Sequence, residues 1–313
     1  MTAATSSPRA KLRPADRIFS ASTIVAGSLI LAALAAVAVF LVAQSIPALV
    51  ADPADLKGSP SSFWAYVGPL AFGSVWAAFL ALIMALPVSF GIALFISHYA
   101  PRRVAQGLGY VVDLLAAVPS VVFGLWGIKV LAPAVLPLYD WLVTNLGFIP
   151  FFTPPVTGTG RSILTVAIVL AVMILPIITA VTREVFLQTP RLHEEAALAL
   201  GATRWEMIQM AVIPFGRPGM ISASMLGLGR ALGETMVVAM VLSPSPGLIT
   251  WILTGSQNSS TIAGNIALNF PEAHGVDVNA LIATGLILFG ITLVINSIAR
   301  FVINRRKAFS GAN

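Results

Sequence analysis

Six stretches of this chain are each long and apolar enough to cross a lipid bilayer as a helix, and this leaves few folds open. They cover approximately residues 22–47, 69–97, 108–136, 163–187, 218–243 and 279–303. A bilayer core about 30 Å thick needs about 20 apolar residues. Because lipid offers no hydrogen-bond partners, such runs predict helices, whereas a β-barrel would show short alternating segments. The predicted fold class is an all-α polytopic membrane protein with six transmembrane helices.

The composition excludes a soluble protein. Of 313 residues, 58% are hydrophobic and 10% are charged, whereas a soluble domain carries about 25% charged residues. The chain has no cysteine, which excludes disulfides and thiolate metal sites, and its 3 histidines lie in different loops or helix ends. Their spacing is not that of metal ligands. We therefore predict neither a metal site nor a set of catalytic residues.

The basic residues predict which side of the membrane each loop faces. Of the 18 Lys and Arg residues, 14 fall on one side of a six-helix arrangement. The other four are Lys57, Lys129, Arg161 and Arg230. The positive-inside rule then places both termini in the cytoplasm. Because these charges flank apolar runs, they indicate membrane orientation and not nucleic-acid binding. The predicted parts are a cytoplasmic tail (1–17), a membrane domain (18–307) and a C-terminal tail (308–313).

The loop 244–278 on the opposite side contains two apolar pieces that are too short to span, GLITWIL (247–253) and TIAGNIALNF (261–270). Two interpretations stay open. The pieces are re-entrant or surface segments that receive a partner, or they are loops packed on the helical bundle. The triplet Asn258-Ser259-Ser260 also matches a glycosylation sequon, a pattern that is common by chance.

The loop 182–219, on the basic side, is predicted to fold outside the bilayer. Its sequence EEAALAL (194–200) favours a helix, with acidic residues at the start, where the helix dipole favours them. Pro190 suits the first turn and Gly201 suits the end. A second short helix is predicted from Thr203 to Val212, ending before Pro214. The segment is interpreted either as an amphipathic helix on the membrane surface or as a docking element for a cytoplasmic protein.

This loop resembles the cytoplasmic motif of permease subunits in bacterial ATP-binding-cassette (ABC) importers. That motif reads Glu-Ala-Ala, three residues, Gly, nine residues, then Ile-x-Leu-Pro. Here Glu195-Ala196-Ala197 and Gly201 keep the spacing to AVIP (211–214), with apolar replacements at two positions. The resemblance implies type I importer architecture and a coupling segment (189–214) that docks on an ATPase. The residues it assigns to coupling are Glu194, Glu195, Ala196, Ala197 and Gly201.

The chain has no G-x-x-x-x-G-K-[ST] sequence, so it lacks the loop that cradles nucleotide phosphates. It is therefore predicted not to be an enzyme and to bind no cofactor of its own. ATP and Mg²⁺ are expected to be used by a separate ATPase subunit.

The predicted fifth helix carries two charges, Arg230 and Glu234, near its middle. Each ion there costs about 2.5–3.5 kcal/mol on insertion scales, and intramembrane ions usually mark a substrate path. At a spacing of four residues both side chains are predicted to share one helix face and to hydrogen-bond. Gly229 and Gly233 form a small-xxx-small pair that lets another helix approach. The alternatives are a structural salt bridge and a substrate path in which the planar guanidinium binds an oxyanion.

A closer resemblance is carried by LGRALGETM (228–236) and DLLAAVPSVVFGLWG (113–127), which look like the phosphate-specific permeases of the Pst system. It extends from about residue 17, and REVFLQTP (183–190) is more similar to the C-type than to the A-type subunit. This resemblance implies the bacterial cytoplasmic membrane, phosphate as substrate, and a role for Arg230 and Glu234 in translocation. The implied partners are an A-type permease, an ATPase dimer and an extracytoplasmic phosphate-binding protein.

Two other functions remain open. One is a permease of the same class for another oxyanion, such as sulfate or molybdate. The other is a proton-coupled secondary transporter that uses Glu234 as its carboxylate. The second has no need of a cytoplasmic Glu-Ala-Ala helix.

Overall fold

The computed structural model describes residues 14–52, 56, 58 and 60–307. Within these residues the regular structure is helical, apart from two isolated bridge pairs. The first four helices are α1 (Pro14–Val50), α2 (Phe63–Tyr99), α3 (Arg102–Ala116) and α4 (Ser120–Ala134). The next four are α5 (Leu136–Leu146), α6 (Ile163–Leu187), α7 (Arg191–Ala199) and α8 (Arg204–Met207). The last four are α9 (Ile213–Leu232), α10 (Met236–Val241), α11 (Ile262–Asn269) and α12 (Val276–Lys307). Of the two predicted tails, residues 1–13 and 308–313 lie outside the described part.

Four of the described helices, α1, α2, α6 and α12, are continuous and apolar enough to span a membrane. The helices α3 and α4 pass the same test only as a pair, bent by 90°. The prediction of one straight helix over 108–136 was therefore wrong. The cause is Pro119, whose ring disfavours helical backbone at the residue before it, so α3 ends at Ala116 and α4 begins at Ser120.

The predicted fifth run, 218–243, is also divided. Helix α9 ends at Leu232 and α10 begins at Met236, so Gly233, Glu234 and Thr235 separate them. The predicted stop before Pro214 was wrong as well. A π-helical turn, Ile208–Val212, joins α8 to α9, and Pro214 is the second residue of α9, directly after that turn.

Helix α6 is the centre of the bundle, with α2 packed on one side and α9 on another. In its most apolar 18-residue window, 67% of the residues are buried, against 0% for α1. Ala77, Ala81 and Ala85 of α2 are buried in the core at four-residue spacing, and these small side chains let α2 and α6 approach closely. Helix α1 packs against α12 and exposes most of its apolar side chains, as a helix facing lipid does.

The loop after α10 is packed on the bundle, which is the second of the two interpretations above. Ser259 is fully buried, and Ser74 of α2 accepts a hydrogen bond from the backbone N–H of Ile262 (2.8 Å). A side chain at Gly73 would collide with the carbonyl of Ser260. The close approach of loop to helix therefore requires glycine at position 73.

Asn258 holds this loop to the start of α6. Its Oδ1 accepts a hydrogen bond from the N–H of Ile163 (2.9 Å), and its Nδ2 donates to the carbonyls of Arg161 (3.3 Å), Ser243 (3.2 Å) and Gly255 (3.4 Å). Asn258 is fully buried. In the folded protein this side chain is not accessible to a glycosyltransferase. We therefore assign Asn258 a structural role and not a glycosylation site.

We expect Asn258→Ala to destabilise the loop end of the bundle by about 1–3 kcal/mol, because the buried N–H of Ile163 loses its acceptor. The neighbouring Gln257→Ala is the matched control, since Gln257 is exposed. Thermal unfolding of the detergent-solubilised protein, followed by size-exclusion chromatography after heating, measures the difference. Equal melting temperatures for the two variants would contradict the assignment.

Candidate functional site

The guanidinium of Arg230, in the last turn of α9, has no hydrogen-bond or ion-pair partner among the described residues. Its Nε is buried and unpaired. Leaving such a donor unsatisfied costs about 1–3 kcal/mol, more when it is charged. The predicted pairing with Glu234 is not found, because the helix ends between the two residues and the four-residue relation is lost.

Glu234 instead binds the start of α10. Its Oε1 accepts hydrogen bonds from the backbone N–H groups of Met236 (3.1 Å) and Val237 (3.2 Å). The positive end of the helix dipole favours a carboxylate there. The side chain is 9% exposed, and no described residue donates to its Oε2. One oxygen of the carboxylate is thus used for structure and the other is open.

The face of α9 beside Arg230 is uncovered in the single chain. Leu226 and Gly229 of α9 are exposed there, and so are Gly233 in the break and Met236 at the start of α10. No atom lies within 4 Å of the position that a side chain at Gly229 would take. The opposite face, with Gly227 against Ile178 of α6, is buried. Arg230 therefore lies at the border between the core and a surface shaped for a closely packed neighbour.

No role was predicted for Arg161, which lies just before α6 and beside the end of α10. Its side chain donates to the carbonyls of Met240 (3.1 Å), Val241 (3.4 Å) and Leu242 (3.2 Å), at the end of α10. A cation is favoured at a helix C-terminus. Helix α10 is thus held by Glu234 at its start and by Arg161 at its end. The sequence held one signal for it: Arg161 is one of the four basic residues that do not lie on the predicted cytoplasmic side.

The predicted coupling segment forms as expected at its first helix. Helix α7 covers Arg191–Ala199 after Pro190, and Gly201 adopts φ +88°, a conformation that glycine reaches without strain. Leu192, Ala196 and Leu200 are exposed on one face, with Leu200 90% exposed. This surface projects from the bundle and is free for a partner.

The inner face of the same segment is joined to the membrane helices. Ala197 packs on a buried cluster that includes Ala93 of α2 and Phe186 of α6. Glu194 lies 3.5 Å from His98 at the end of α2 (Oε1 to Nε2), whereas Glu195 is exposed. Helix α7 is therefore in direct contact with two membrane helices.

The turn after Gly201 is fixed by a capping box between Thr203 and Glu206. The Glu206 carboxylate accepts from the Thr203 N–H (2.7 Å) and hydroxyl (2.8 Å). These bonds, the backbone one first, hold the pKa of Glu206 below its usual value. The carboxylate is therefore charged at neutral pH, and the cap is intact there.

An arginine in a helical bundle, with its Nε buried and without a protein partner, is suited to a passing anion, and α7 offers an exposed surface to a partner. Both features fit a membrane transport protein. Residues 77–308 match the family described as "Binding-protein-dependent transport system inner membrane component". The chain belongs to this family.

The sequence relatives narrow the group. The chain is 43% identical to the phosphate transport system permease protein PstC 2 of Mycobacterium tuberculosis, over 93% of each chain. It is 38% identical to the PstC protein of Mesorhizobium japonicum, over 95% of this chain and 92% of that one. The predicted resemblance to the Pst permeases is thereby confirmed.

Solved structures confirm the importer fold. A chain of a bacterial ABC transporter for the acidic polysaccharide alginate superposes with a TM-score of 0.58 at 17% identity, covering 92% of this chain and 99% of that one. A chain of the methionine transporter MetNI gives 0.57 at 12% identity, covering 77% and 96%. The predicted fold class is confirmed, with two of the six predicted runs broken as described above.

We expect Glu234→Gln to keep the stability of the fold, because the amide oxygen still accepts hydrogen bonds from the start of α10. Glu234→Ala removes the cap and should lower the free energy of unfolding by about 1 kcal/mol. Thermal unfolding of the two purified variants beside the parent protein makes the comparison. If the alanine variant were as stable as the glutamine variant, the capping role of Glu234 would be wrong.

Proposed function

We propose that this chain is the membrane permease subunit of an ATP-driven importer that moves inorganic phosphate into the cytoplasm. The observation that carries the proposal is the unpartnered guanidinium of Arg230 at an uncovered face of a membrane helix. The relatives named as phosphate transport permeases support phosphate as the anion.

The chemistry of Arg230 suits phosphate. A guanidinium presents parallel N–H donors that match two oxygens of a tetrahedral oxyanion, and it keeps its charge at any physiological pH. Its Nε is buried without an acceptor, so an arriving anion replaces no existing bond there. Binding must stay shallow, because a deep minimum would stop turnover.

Glu234 is proposed to contribute selectivity. The open Oε2 accepts a hydrogen bond from a protonated phosphate oxygen, which sulfate at neutral pH does not have. The other oxygen is occupied by α10, so the carboxylate is held in place and cannot rotate away. Arg230 and Glu234 then act on the same anion from the two sides of the break in the helix.

The partners follow from the surfaces. The strip Leu226, Gly229, Gly233 and Met236 is proposed to face a second permease subunit, the A-type paralogue, so that the anion path runs between the two chains. The exposed face of α7 is proposed to dock on an ATPase dimer, which binds ATP and Mg²⁺ in its own subunits. An extracytoplasmic phosphate-binding protein is proposed to deliver the anion, with both termini of this chain in the cytoplasm.

The proposed cycle is alternating access. Nucleotide binding closes the ATPases, α7 moves with them, and its contacts with α2 and α6 shift those helices. The path then opens outward to receive phosphate and, after hydrolysis, opens inward to release it. Permeases for sulfate or molybdate would share the coupling step and differ at the anion.

Arg230→Gln should lower ATP-dependent phosphate uptake by about tenfold or more, because a hydrogen-bonded charge is worth about 1.5–3 kcal/mol. Uptake is measured with the reconstituted complex, with sulfate and molybdate as competitors. Arg217→Gln on the same helix, where the side chain is exposed, is the control. Full uptake by Arg230→Gln would contradict a role of Arg230 in the anion path. Stronger competition by sulfate than by phosphate would indicate that sulfate is the transported anion.

In the same assay Glu234→Gln should narrow the preference for phosphate over sulfate, because an amide oxygen keeps the cap but presents an N–H₂ group to the anion. Unchanged selectivity would leave Glu234 with a structural role alone.

Gly201→Ala should weaken retention of the ATPase on the purified complex, since a left-handed backbone costs an alanine about 1–2 kcal/mol. Gly201→Asn is the matched control, because asparagine tolerates this conformation better and the space around a side chain is open. Co-purification of the ATPase measures the effect. Equal retention by both variants would count against a docking role for this turn.

A further inference from the structure

A basic cavity lies at the end of the bundle that carries α7, remote in the chain from Arg230. Its volume is about 510 Å³, and it is an open cavity lined by the end of α2, by α3, by the end of α6 and by the start of α7. The polar and charged side chains that line it include Arg102, Gln106, Asp113, Arg183 and Arg191. Three arginines face one carboxylate there, so the cavity carries an excess of positive charge.

Arg183, on α6, is the central group of this cavity. Its guanidinium lies against Gly109 of α3, where any side chain would collide with it, and 3.7 Å from Asp113 (Nη2 to Oδ2). Its Nε is buried and has no hydrogen-bond partner. The single long contact with a half-exposed carboxylate leaves most of the donors of Arg183 unused.

The two outer arginines are also free. Arg102 and Arg191 are exposed, and neither forms an ion pair within the part of the chain that the structure describes. Asp113 offsets one of the three positive charges. The remaining two match an anion that carries several acceptor oxygens, and guanidinium groups pair best with phosphate or carboxylate.

The cavity adjoins exposed apolar side chains of α3. Tyr110, which lines the cavity, is 77% exposed, and Leu114 one turn further is 74% exposed. Tyrosine is enriched at the level of lipid headgroups. Basic pockets between membrane helices on the cytoplasmic side are suited to anionic headgroups.

We propose that this cavity binds a phosphate group held by Arg102, Arg183 and Arg191. The apolar surface beside it favours the headgroup of an anionic phospholipid as the source, and inorganic phosphate has the same chemistry. Because Arg191 is the first residue of α7, the bound phosphate ties α7 to α3 and α6. The site is separate from the proposed path and does not depend on phosphate being the transported substrate.

In the test, the full-length chain is extracted in mild detergent together with the subunits that co-purify. Native mass spectrometry then measures the phospholipid that stays bound. Arg183→Gln removes the central donor, and Gln106→Glu adds a negative charge to the cavity at an exposed position. Each should lower the occupancy of phosphatidylglycerol roughly fivefold, as expected for one charge near the membrane surface. Arg217→Gln, outside the cavity, should leave it unchanged.

A second arm identifies the source. The delipidated Arg230→Gln protein, in which the proposed path is disabled, is titrated with radiolabelled inorganic phosphate. Loss of lipid in the two cavity variants but not in the control supports a headgroup. Saturable phosphate binding that the same two variants abolish, without retained lipid, supports the free anion. If neither ligand is retained, or if the cavity variants match the control, the proposal is overturned.

Discussion

Every polar group inside the bilayer needs a partner supplied by the protein, and the structure is arranged around this requirement. The loop after α10 meets it through Asn258, whose four hydrogen bonds join segments that are far apart in the chain. Arg161 meets it for the carbonyls at the end of α10. Arg230 does not meet it: no described residue accepts from its buried Nε, and the same holds for a buried atom of Trp76, Thr182, Arg183, Thr189 and Thr254. Arg230 differs from most of these in carrying a charge within a predicted membrane helix, which is why we propose a ligand for it.

The coupling segment shows how a small number of residues link two environments. Its outer face carries exposed leucines and Ala196, and its inner face places Ala197 on a buried cluster and Glu194 beside His98. Gly201 permits the turn between them. One short helix thus has an exposed face and also contacts two membrane helices, as the proposed coupling role requires. The basic cavity adjoins the same helix from the side of α3.

Membrane helices with long apolar runs, and helix ends marked by proline or glycine, were predictable from the sequence. Features that depend on contacts between distant residues were not. The helices α1, α2, α6 and α12 follow from hydropathy, and α7 from Pro190 and Gly201. The break at Gly233 was missed because its stability depends on Glu234 capping the next helix. The role of Asn258 was missed because its partner Ile163 is 95 residues away. At the proposed site, Arg230 and Glu234 were selected by charge, but their geometry as a pair was wrong.

The six-residue helix α10 is anchored by charge at both ends and covalently joined to α9 through only three non-helical residues. Both ends of α10 are therefore held by side chains. If α9 rotates in the proposed cycle, the backbone at Gly233 is the place where the change is absorbed, since Glu234 stays bonded to α10 and Arg161 to its far end. The distance between the carboxylate of Glu234 and the guanidinium of Arg230 would then change without unwinding either helix.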